Sequence, residues 1–222
     1  MGSTFPTYRP RTASLSVAGS STPRVGVLAL QGDFREHLAV LATLGVEPVP
    51  VKRPAELSTV AGLIIPGGES SVMDKLSRMF GLADPLKAAI QGGLPVYGTC
   101  AGLIMLADTV EDAIAGQQSL GGFDLVVRRN AFGSQLDSFE TELDIPVLGP
   151  PALHAVFIRA PIVESVGPKA RSLAELSDGR VVAVEQDHLL GTSFHPEMTR
   201  DTRIHEYFLD KVRAHLHGTP AA

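Results

Sequence analysis

The only cysteine of the chain lies in the pentapeptide Gly98-Thr99-Cys100-Ala101-Gly102. This G-x-C-x-G pattern is the thiol counterpart of the G-x-S-x-G nucleophile elbow, a sharp turn from a strand into a helix. The positive end of the helix favours the thiolate, the reactive form of cysteine. The N–H of Ala101 would supply half of an oxyanion hole. The pattern therefore indicates a nucleophile, although a lone cysteine is more often a small buried hydrophobic residue.

A proton acceptor for this thiol is offered by His195-Pro196-Glu197, which follows a predicted strand over residues 189–194. Residues two apart in an extended segment share a side, so the imidazole and the carboxylate can be neighbours. Cys100, His195 and Glu197 are then interpreted as nucleophile, base and base-orienting carboxylate. Alone, the tripeptide is more often a strand-end histidine beside a solvated glutamate. The catalytic interpretation depends on the presence of Cys100 in the same chain.

A third candidate segment is Pro66-Gly67-Gly68-Glu69-Ser70, which follows a short run of apolar residues predicted to form a buried strand. Its two glycines let backbone N–H groups approach a ligand closely, as an oxyanion hole or an anion nest requires. Taken alone, an ordinary strand-to-helix turn is the commoner interpretation. The segment is not a Walker A loop, because no Gly-Lys-Ser/Thr follows it.

The elements that must position these segments alternate in the first half of the chain. Strands are predicted over 25–30, 46–51, 62–65 and 94–97. Helices are predicted from Asp33 to Gly45, from Pro85 to Gln91 and from just after Cys100, and Ser70 or Ser71 can cap a further helix that runs to about Phe80. Pro48 and Pro50 indicate that the second strand lies at a sheet edge. Alternation of this kind implies right-handed crossovers and a mainly parallel sheet.

The second half contains more strands than helices. Strands are predicted over 123–128, 139–145, 155–158, 172–176, 180–185 and 189–194, with a hairpin at Ser177-Asp178-Gly179 and a closing helix over 202–216. The predicted fold class is α/β: a three-layer, mainly parallel sheet covered by helices, with antiparallel strands added in the C-terminal half.

The composition restricts the function classes. Nineteen Lys and Arg against 24 Asp and Glu give a net charge of −5, which argues against a general nucleic-acid binder. One cysteine excludes an internal disulfide framework and a cysteine-cluster zinc site. The charge-free stretch 88–106 contains Gln91, Pro95 and several glycines, so a buried strand, a turn and a helix start explain it better than a membrane span. His215 and His217 diverge near a helix end, and no metal site is predicted.

The N-terminal residues 1–23 differ from the rest. They contain nine Ser or Thr, three Pro, Arg9, Arg11 and no acidic residue, which predicts a disordered extension or an over-long start. A transit peptide has similar composition, but no arginine-rich amphipathic period is visible, and no apolar core makes a secretory signal. We expect one domain over 24–216, a short tail over 217–222, and a cytoplasmic location.

Together the three segments resemble a class I (triad) glutamine amidotransferase domain, and more closely the glutaminase subunit of pyridoxal 5′-phosphate synthase. The resemblance runs from about Arg24 to Val212. The segments that carry it are Val25 to Gly32, Arg35-Glu36-His37, Pro66 to Ser70, Gly98 to Leu103, Arg129 to Gln135, Asp137-Ser138-Phe139, Phe157 to Pro161 and Ser193 to Glu197. The triad alone is typical of the superfamily, whereas the Arg-Asn-x-Phe-Gly and Phe-Ile-Arg-Ala-Pro segments are typical of the subfamily.

The resemblance implies that Cys100 attacks the side-chain amide of glutamine and forms a γ-glutamyl thioester. His195 would move the protons and Glu197 would hold its ring, while N–H groups at Gly68 and Ala101 would stabilise the oxyanion. The residues implied to hold glutamine are Gly68, Glu69, Ser70, Arg129, Ile158 and Arg159. An arginine suits the α-carboxylate of glutamine, and a carboxylate or carbonyl suits its α-ammonium.

The resemblance also implies a partner, a barrel-shaped synthase subunit that takes the ammonia through an internal tunnel. Gln31 and the start of the first helix lie where family members meet this subunit. Pyridoxal 5′-phosphate would be the product of the complex, and no cofactor of this chain is expected. The N-terminal extension departs from the family pattern.

Three rival functions remain open. The same triad could serve a stand-alone γ-glutamyl hydrolase or the glutaminase subunit of another amidotransferase. From another class, the chain could be a non-catalytic binding subunit in which Cys100 senses redox state.

Overall fold

The computed structural model describes residues 22–129 and 138–218. The predictions for most of the N-terminal extension, for the segment Asn130 to Asp137 of the family motif and for the end of the C-terminal tail lie outside these residues.

The described chain forms twelve strands, six α-helices and two short 3₁₀ turns. The strands are β1 (Arg24–Leu28), β2 (Glu47–Val51), β3 (Gly62–Ile65), β4 (Val96–Thr99), β5 (Ala107–Glu111), β6 (Phe123–Arg128), β7 (Ser138–Leu143), β8 (Leu153–Ile158), β9 (Ile162–Val166), β10 (Arg171–Glu175), β11 (Val181–Gln186) and β12 (Leu189–Thr192). The helices are α1 (Phe34–Thr43), α2 (Pro54–Leu57), α3 (Ser70–Met79), α4 (Ala83–Gln91), α5 (Ala101–Leu106) and α6 (Arg203–Leu216), and the 3₁₀ turns are Pro146–Leu148 and Pro196–Met198.

Five strands form the parallel part of the sheet, in the order β2-β1-β3-β4-β12. β2, which carries Pro48 and Pro50, lies at the end of this order, as predicted. In the register of β4 and β12, Thr99 lies opposite Thr192. The carboxyl ends of these two strands therefore meet at one edge of the sheet, and Cys100 and His195 both follow there.

The sheet continues through antiparallel pairs from β12 to β11, β9 and β6, and ends with β5 parallel to β6. β10 also pairs with β11, and β7 and β8 form a separate antiparallel pair. The predicted fold class is confirmed. β5, β9 and α2 were not predicted.

Buried side chains fill both faces of the sheet. On β3, Leu63 and Ile65 belong to one core cluster and Ile64 to the other, because successive residues of a strand face opposite sides. The first cluster includes residues of α3, α4 and α5, and the second includes residues of α1 and α6. Helices thus cover both faces, and the sheet forms the middle of three layers. Among residues 22–129 and 138–218, no helix is long and apolar enough to cross a membrane.

Candidate active site

Cys100 occupies a tight turn between β4 and α5. Its φ of 50° and ψ of −105° are uncommon for a residue with a side chain. Its backbone N–H donates to the carbonyl of Thr192 at 2.8 Å, which joins the turn to the end of β12. A Cβ on Gly102 would lie 2.0 Å from the carbonyl oxygen of Ile65, so only glycine lets α5 begin this close to β3. The turn has the geometry that the G-x-C-x-G pattern predicts.

His195 and Glu197 form a buried pair beside this turn. The Nδ1–H of His195 donates to Oε1 of Glu197 at 2.7 Å, and the side chains are 4% and 0% exposed. The backbone N–H of His195 donates to the carbonyl of Val156 in β8, and the turn Pro196–Met198 places Glu197 back against the ring. The other ring nitrogen, Nε2, is buried and has no hydrogen-bond partner among the described residues. That nitrogen is available for proton transfer.

The charge of its neighbours determines the protonation of His195. Burial lowers the pKa of this imidazole, but the interaction with the nearby Cys100 thiol and the hydrogen bond and charge of Glu197 outweigh burial and raise the pKa to about 10. The ring is therefore protonated at neutral pH when the thiol beside it is ionised. A thiolate beside an imidazolium is the reactive state of a cysteine nucleophile.

The loop after β3 lies against the histidine ring. A Cβ on Gly67 would lie 2.4 Å from Cε1 of His195, so the absence of a side chain allows this approach. The backbone N–H of Glu69 donates to Oε1 of Gln31 at 2.8 Å. Gln31, which was predicted at a partner interface, thus also holds the Gly67-Gly68 loop, and its interface role stays a prediction. Ala101, the other predicted oxyanion donor, is the first residue of α5.

Three of the predicted glutamine-binding residues belong to one polar network. The guanidinium of Arg129, a residue only 5% exposed, donates to Oε1 of Glu69 at 2.6 Å and to Oε1 of Gln117 at 2.9 Å. Gln117 in turn donates from Nε2 to Oγ of the buried Ser70 at 3.0 Å. Gln117 was not predicted, since it lies in a loop after β5 and no local pattern marks it. Glu69 is also the N-cap of α3 and accepts from the N–H of Ser71, so the prediction that Ser70 or Ser71 caps this helix is wrong.

Ile158 and Arg159 lie at the end of β8, opposite the nucleophile. The carbonyl oxygen of Ile158 is 3.9 Å from Sγ of Cys100, within reach of a thiol hydrogen bond. Arg159 follows with φ of 45°, an uncommon value for a residue with a side chain, and it is exposed. The structure therefore brings Ile158 to the thiol and places Arg159 at the exposed rim beside it.

Asp33 faces the site although the sequence predicted it only as a helix start. It is the N-cap residue of α1 but makes no side-chain cap hydrogen bond, and its Oδ2 lies 3.6 Å from Nδ1 of His195. Asp33, His195 and Glu197 each offer a ligand atom within 4.8 Å of the others, a spacing that could hold a metal ion. Nδ1 of His195 already donates its hydrogen bond to Glu197. We therefore interpret the three side chains as groups that hold and transfer protons rather than as metal ligands.

The comparisons with known proteins agree with this geometry. The model of the SNO glutamine amidotransferase family matches residues 27–214. A pyridoxal 5′-phosphate synthase subunit PdxT of Leifsonia xyli subsp. xyli is 72% identical over 200 residues, covering 90% of this chain and 100% of the relative. The PdxT subunit of Clavibacter sepedonicus is 66% identical, covering 86% and 91%. A crystal structure of a glutamine amidotransferase has a TM-score of 0.80 at 44% identity, covering 85% of this chain and 98% of that one.

Proposed function

The chain belongs to the SNO glutamine amidotransferase family, and we propose that it is the glutaminase subunit of a pyridoxal 5′-phosphate synthase, with Cys100, His195 and Glu197 as its catalytic residues. The observation that carries this proposal is the buried pair of His195 and Glu197 beside a strained, buried Cys100. High identity to PdxT subunits over nearly the whole described chain supports the same function.

The proposed reaction proceeds in two steps. The Cys100 thiolate attacks the side-chain amide carbon of glutamine, and N–H groups at Gly68 and Ala101 stabilise the tetrahedral oxyanion. The C–N bond breaks as Nε2–H of His195 protonates the leaving ammonia, which leaves a γ-glutamyl thioester. The neutral ring then takes a proton from water, the hydroxide attacks the thioester, and the C–S bond breaks to release the γ-carboxyl group, which loses its proton to solvent as glutamate departs. The thiolate and the imidazolium are restored.

The ion pair between Glu69 and Arg129 supports the proposed binding of glutamine. Arg129 would hold the α-carboxylate and Glu69 the α-ammonium, so that the direct contact between the two side chains is exchanged for an ion pair from each to the substrate. Ser70, Ile158 and Arg159 complete the set, with the carbonyl of Ile158 directed toward the thiol. We expect glutamine held in this way to present its amide carbon to Cys100.

The proposed partner is a barrel-shaped synthase subunit that receives ammonia through an internal tunnel. Gln31 would lie at the contact, and its hydrogen bond to the N–H of Glu69 would connect the partner surface to the oxyanion loop. No cofactor of this chain is needed, because a thiol, an imidazole and water supply every group that reacts. Pyridoxal 5′-phosphate would leave as the product of the complex, and we place the reaction in the cytoplasm.

Glutamate release tests the function directly. The full chain and its Cys100→Ala variant are each incubated with glutamine, alone and with the cognate synthase subunit. We expect the unmodified chain to release glutamate with a sharp rise when the synthase is added. Cys100→Ala should release none while still binding the synthase. Activity retained by Cys100→Ala would contradict the mechanism.

The remaining outcomes separate the rival functions. Equal activity with and without the synthase would favour a free-standing γ-glutamyl hydrolase. Inactivity of a folded chain that binds the synthase would favour a non-catalytic subunit with a redox-sensing Cys100. Iodoacetamide labelling of Cys100 that a glutamine analogue blocks would favour the glutaminase.

A further inference from the structure

Two histidines that the proposed mechanism does not use lie directly behind the triad. His37 on α1 and His205 on α6 are both fully buried. Nδ1 of His37 lies 3.0 Å from Nε2 of His205. Nε2 of His37 lies 3.3 Å from Oε2 of Glu197 and 3.3 Å from Oγ1 of Thr99. The contacts thus run in one row from His205 through His37 and Glu197 to His195.

The carboxylate of Glu197 determines which nitrogen of His37 carries the proton. Glu197 has a side chain with no exposure, and its Oε1 is used by His195. Among the described residues, the nitrogens within ion-pair distance of Glu197 are Nδ1 of His195 and Nε2 of His37. Oε2 of Glu197 has no hydrogen-bond partner among the described residues, and Nε2 of His37 lies 3.3 Å from it without forming a hydrogen bond. A lone pair beside this buried oxygen would be costly, whereas an N–H beside it is favourable. The proton therefore belongs on Nε2 of His37.

This assignment fixes the tautomer of the second histidine as well. With its proton on Nε2, His37 accepts at Nδ1, so Nε2 of His205 must be the donor. The Nδ1 of His205 is then a bare acceptor, and it is buried without a hydrogen-bond partner among the described residues. The opposite arrangement would leave an N–H at that position and a lone pair opposite Glu197. In the assigned tautomer, Nε2–H of His37 donates to Oγ1 of Thr99, and its 3.3 Å contact with Oε2 of Glu197 is electrostatic.

Both rings are neutral at physiological pH. Burial first, and then the charges of His205 and His195, hold the pKa of His37 well below its usual value. Burial alone lowers the pKa of His205 to about 4. A neutral ring donates one hydrogen bond and accepts another. The direction of the hydrogen bond at one nitrogen therefore fixes the direction at the other nitrogen of the same ring. The hydroxyl of Thr99 contacts His37, the ring of Tyr97 packs edge-on to His205, and the carboxylate of Asp33 faces His195 at the other end of the row.

We propose that His37 is a positioning residue of the triad, which orients the carboxylate of Glu197 electrostatically by placing Nε2–H 3.3 Å from Oε2, and that His205 selects the tautomer in which His37 can do so. This inference rests on the proposed function, because it concerns how the triad is held. Orientation of a ligating or catalytic histidine by an outer partner commonly contributes about tenfold to a hundredfold in activity. Here the support acts on the carboxylate rather than on the imidazole.

The tautomers can be measured in the full unmodified chain, so the measurement does not depend on whether a variant folds. Nitrogen-15 NMR of histidine-labelled protein at neutral pH should show both rings neutral and protonated at Nε2, with His37→Gln used to assign the signals. A proton on Nδ1 of His37, or a charged ring at this pH, would overturn the inference. This readout does not depend on glutaminase activity.

Kinetics of the complex with the synthase test the positioning role. His37→Leu removes the donor, whereas His37→Gln keeps an N–H donor that cannot titrate. We expect His37→Leu to lower kcat for glutamate release by about tenfold to a hundredfold with KM for glutamine little changed. The acid limb of its kcat profile should move to higher pH, because a carboxylate without its donor takes up a proton more readily. His37→Gln should restore the limb and most of the rate.

His188→Leu is the matched control. His188 is also partly buried, but its Nε2 contacts the carbonyl of Ile90, far from the triad along the sheet. This variant should keep the pH profile of the unmodified chain. An unshifted acid limb in folded His37→Leu would overturn the positioning role while leaving the glutaminase function standing. An unmodified chain that shows no glutaminase activity would instead reject the proposed function. The NMR result would still decide the tautomers.

Discussion

The side chains of the triad are held by different means. Cys100 is fixed by its backbone, in a conformation with φ of 50° that neighbouring structure must stabilise. His195 and Glu197 are fixed by burial and by the 2.7 Å hydrogen bond between them. A set held in this way needs little reorganisation when a substrate arrives, and groups oriented beforehand are the main source of electrostatic catalysis.

The neighbouring arginines Arg128 and Arg129 offer a test of the glutamine pocket. Arg129 is buried and pairs with Glu69, whereas Arg128 is partly exposed and pairs with Glu111. Arg129→Gln should raise KM for glutamine by about tenfold to a hundredfold, the usual loss for a hydrogen bond to a charged group. Arg128→Gln, the matched control, should leave KM unchanged. Steady-state glutamate release measures both variants, and equal KM values would remove Arg129 from the pocket.

Local patterns predicted the residues of the site whose neighbours are close in sequence. The glycines around Cys100 and the spacing of His195 and Glu197 each indicate their own geometry. Gln117 could not be found in this way, because its partners Ser70 and Arg129 come from other segments and glutamine has no distinctive local role. His37 was noted only as part of a family segment, since its contacts with Glu197 and His205 arise from tertiary packing.

The elements of the parallel sheet bring the site together. Strands β3, β4 and β12 are neighbours, and each is followed at its carboxyl end by a segment of the site. The sequence predicted all three strands from their apolar runs. Their order could not be read from the sequence, because neighbouring positions depend on long-range pairing. The missed elements were short or of mixed polarity: β5 has a partly exposed sequence, Ala-Asp-Thr-Val-Glu, and α2 has four residues.

The start of α5 depends on a glycine for steric reasons. A Cβ on Gly102 would overlap the carbonyl oxygen of Ile65 in β3, a backbone atom that cannot rotate away. We expect Gly102→Ala to lower the free energy of unfolding by about 3 kcal/mol, the upper range for overpacking a core. Displacement of Cys100 should also abolish glutamate release. Urea denaturation and the glutaminase assay measure the two effects.

Gly45→Ala is the control for the Gly102 variant. Gly45 ends α1 with φ of 72°, and a Cβ there would have no atom within 4 Å. Its substitution carries only the backbone cost of a left-handed residue, about 1 kcal/mol, and should leave activity intact. Equal destabilisation by the two variants would show that the clash with β3 is not the reason for Gly102.

At the scale of the whole molecule, the buried histidines connect elements that are distant in sequence. His37 lies on α1 and His205 on α6, and both pack against Thr99 or Tyr97 of β4. The same contacts that orient Glu197 therefore also join two helices to the central sheet. The pair of His37 and His205 is stable only while both rings stay neutral, since a charge there would have no solvent.

The folded chain should consequently lose stability between pH 7 and pH 5. Burial lowers the pKa of His205 to about 4, whereas the pKa of an unfolded histidine is about 6.5. The unfolded state therefore binds more protons over this interval, and the free energy of unfolding falls as pH falls. His205 alone should contribute about 2 kcal/mol of this loss, and His37, whose pKa burial also lowers, adds to it.

Urea denaturation at pH 7, 6 and 5 checks the sign and the source of this loss. His205→Gln should reduce the fall in unfolding free energy by about 2 kcal/mol, whereas His215→Gln, at the exposed end of α6, should leave it unchanged. Two histidines act in the opposite sense because their folded pKa is raised: buried His195, to about 10, and exposed His154, beside Glu142 and Glu140, whose effect solvent screens. Neither offsets the combined effect of His205 and His37. Most carboxylates titrate below this interval, so the histidines determine most of the change in unfolding free energy between pH 7 and pH 5. A flat profile in the unmodified chain would mean that His205 is charged or hydrated in the folded state, and the neutral row behind Glu197 would have to be abandoned.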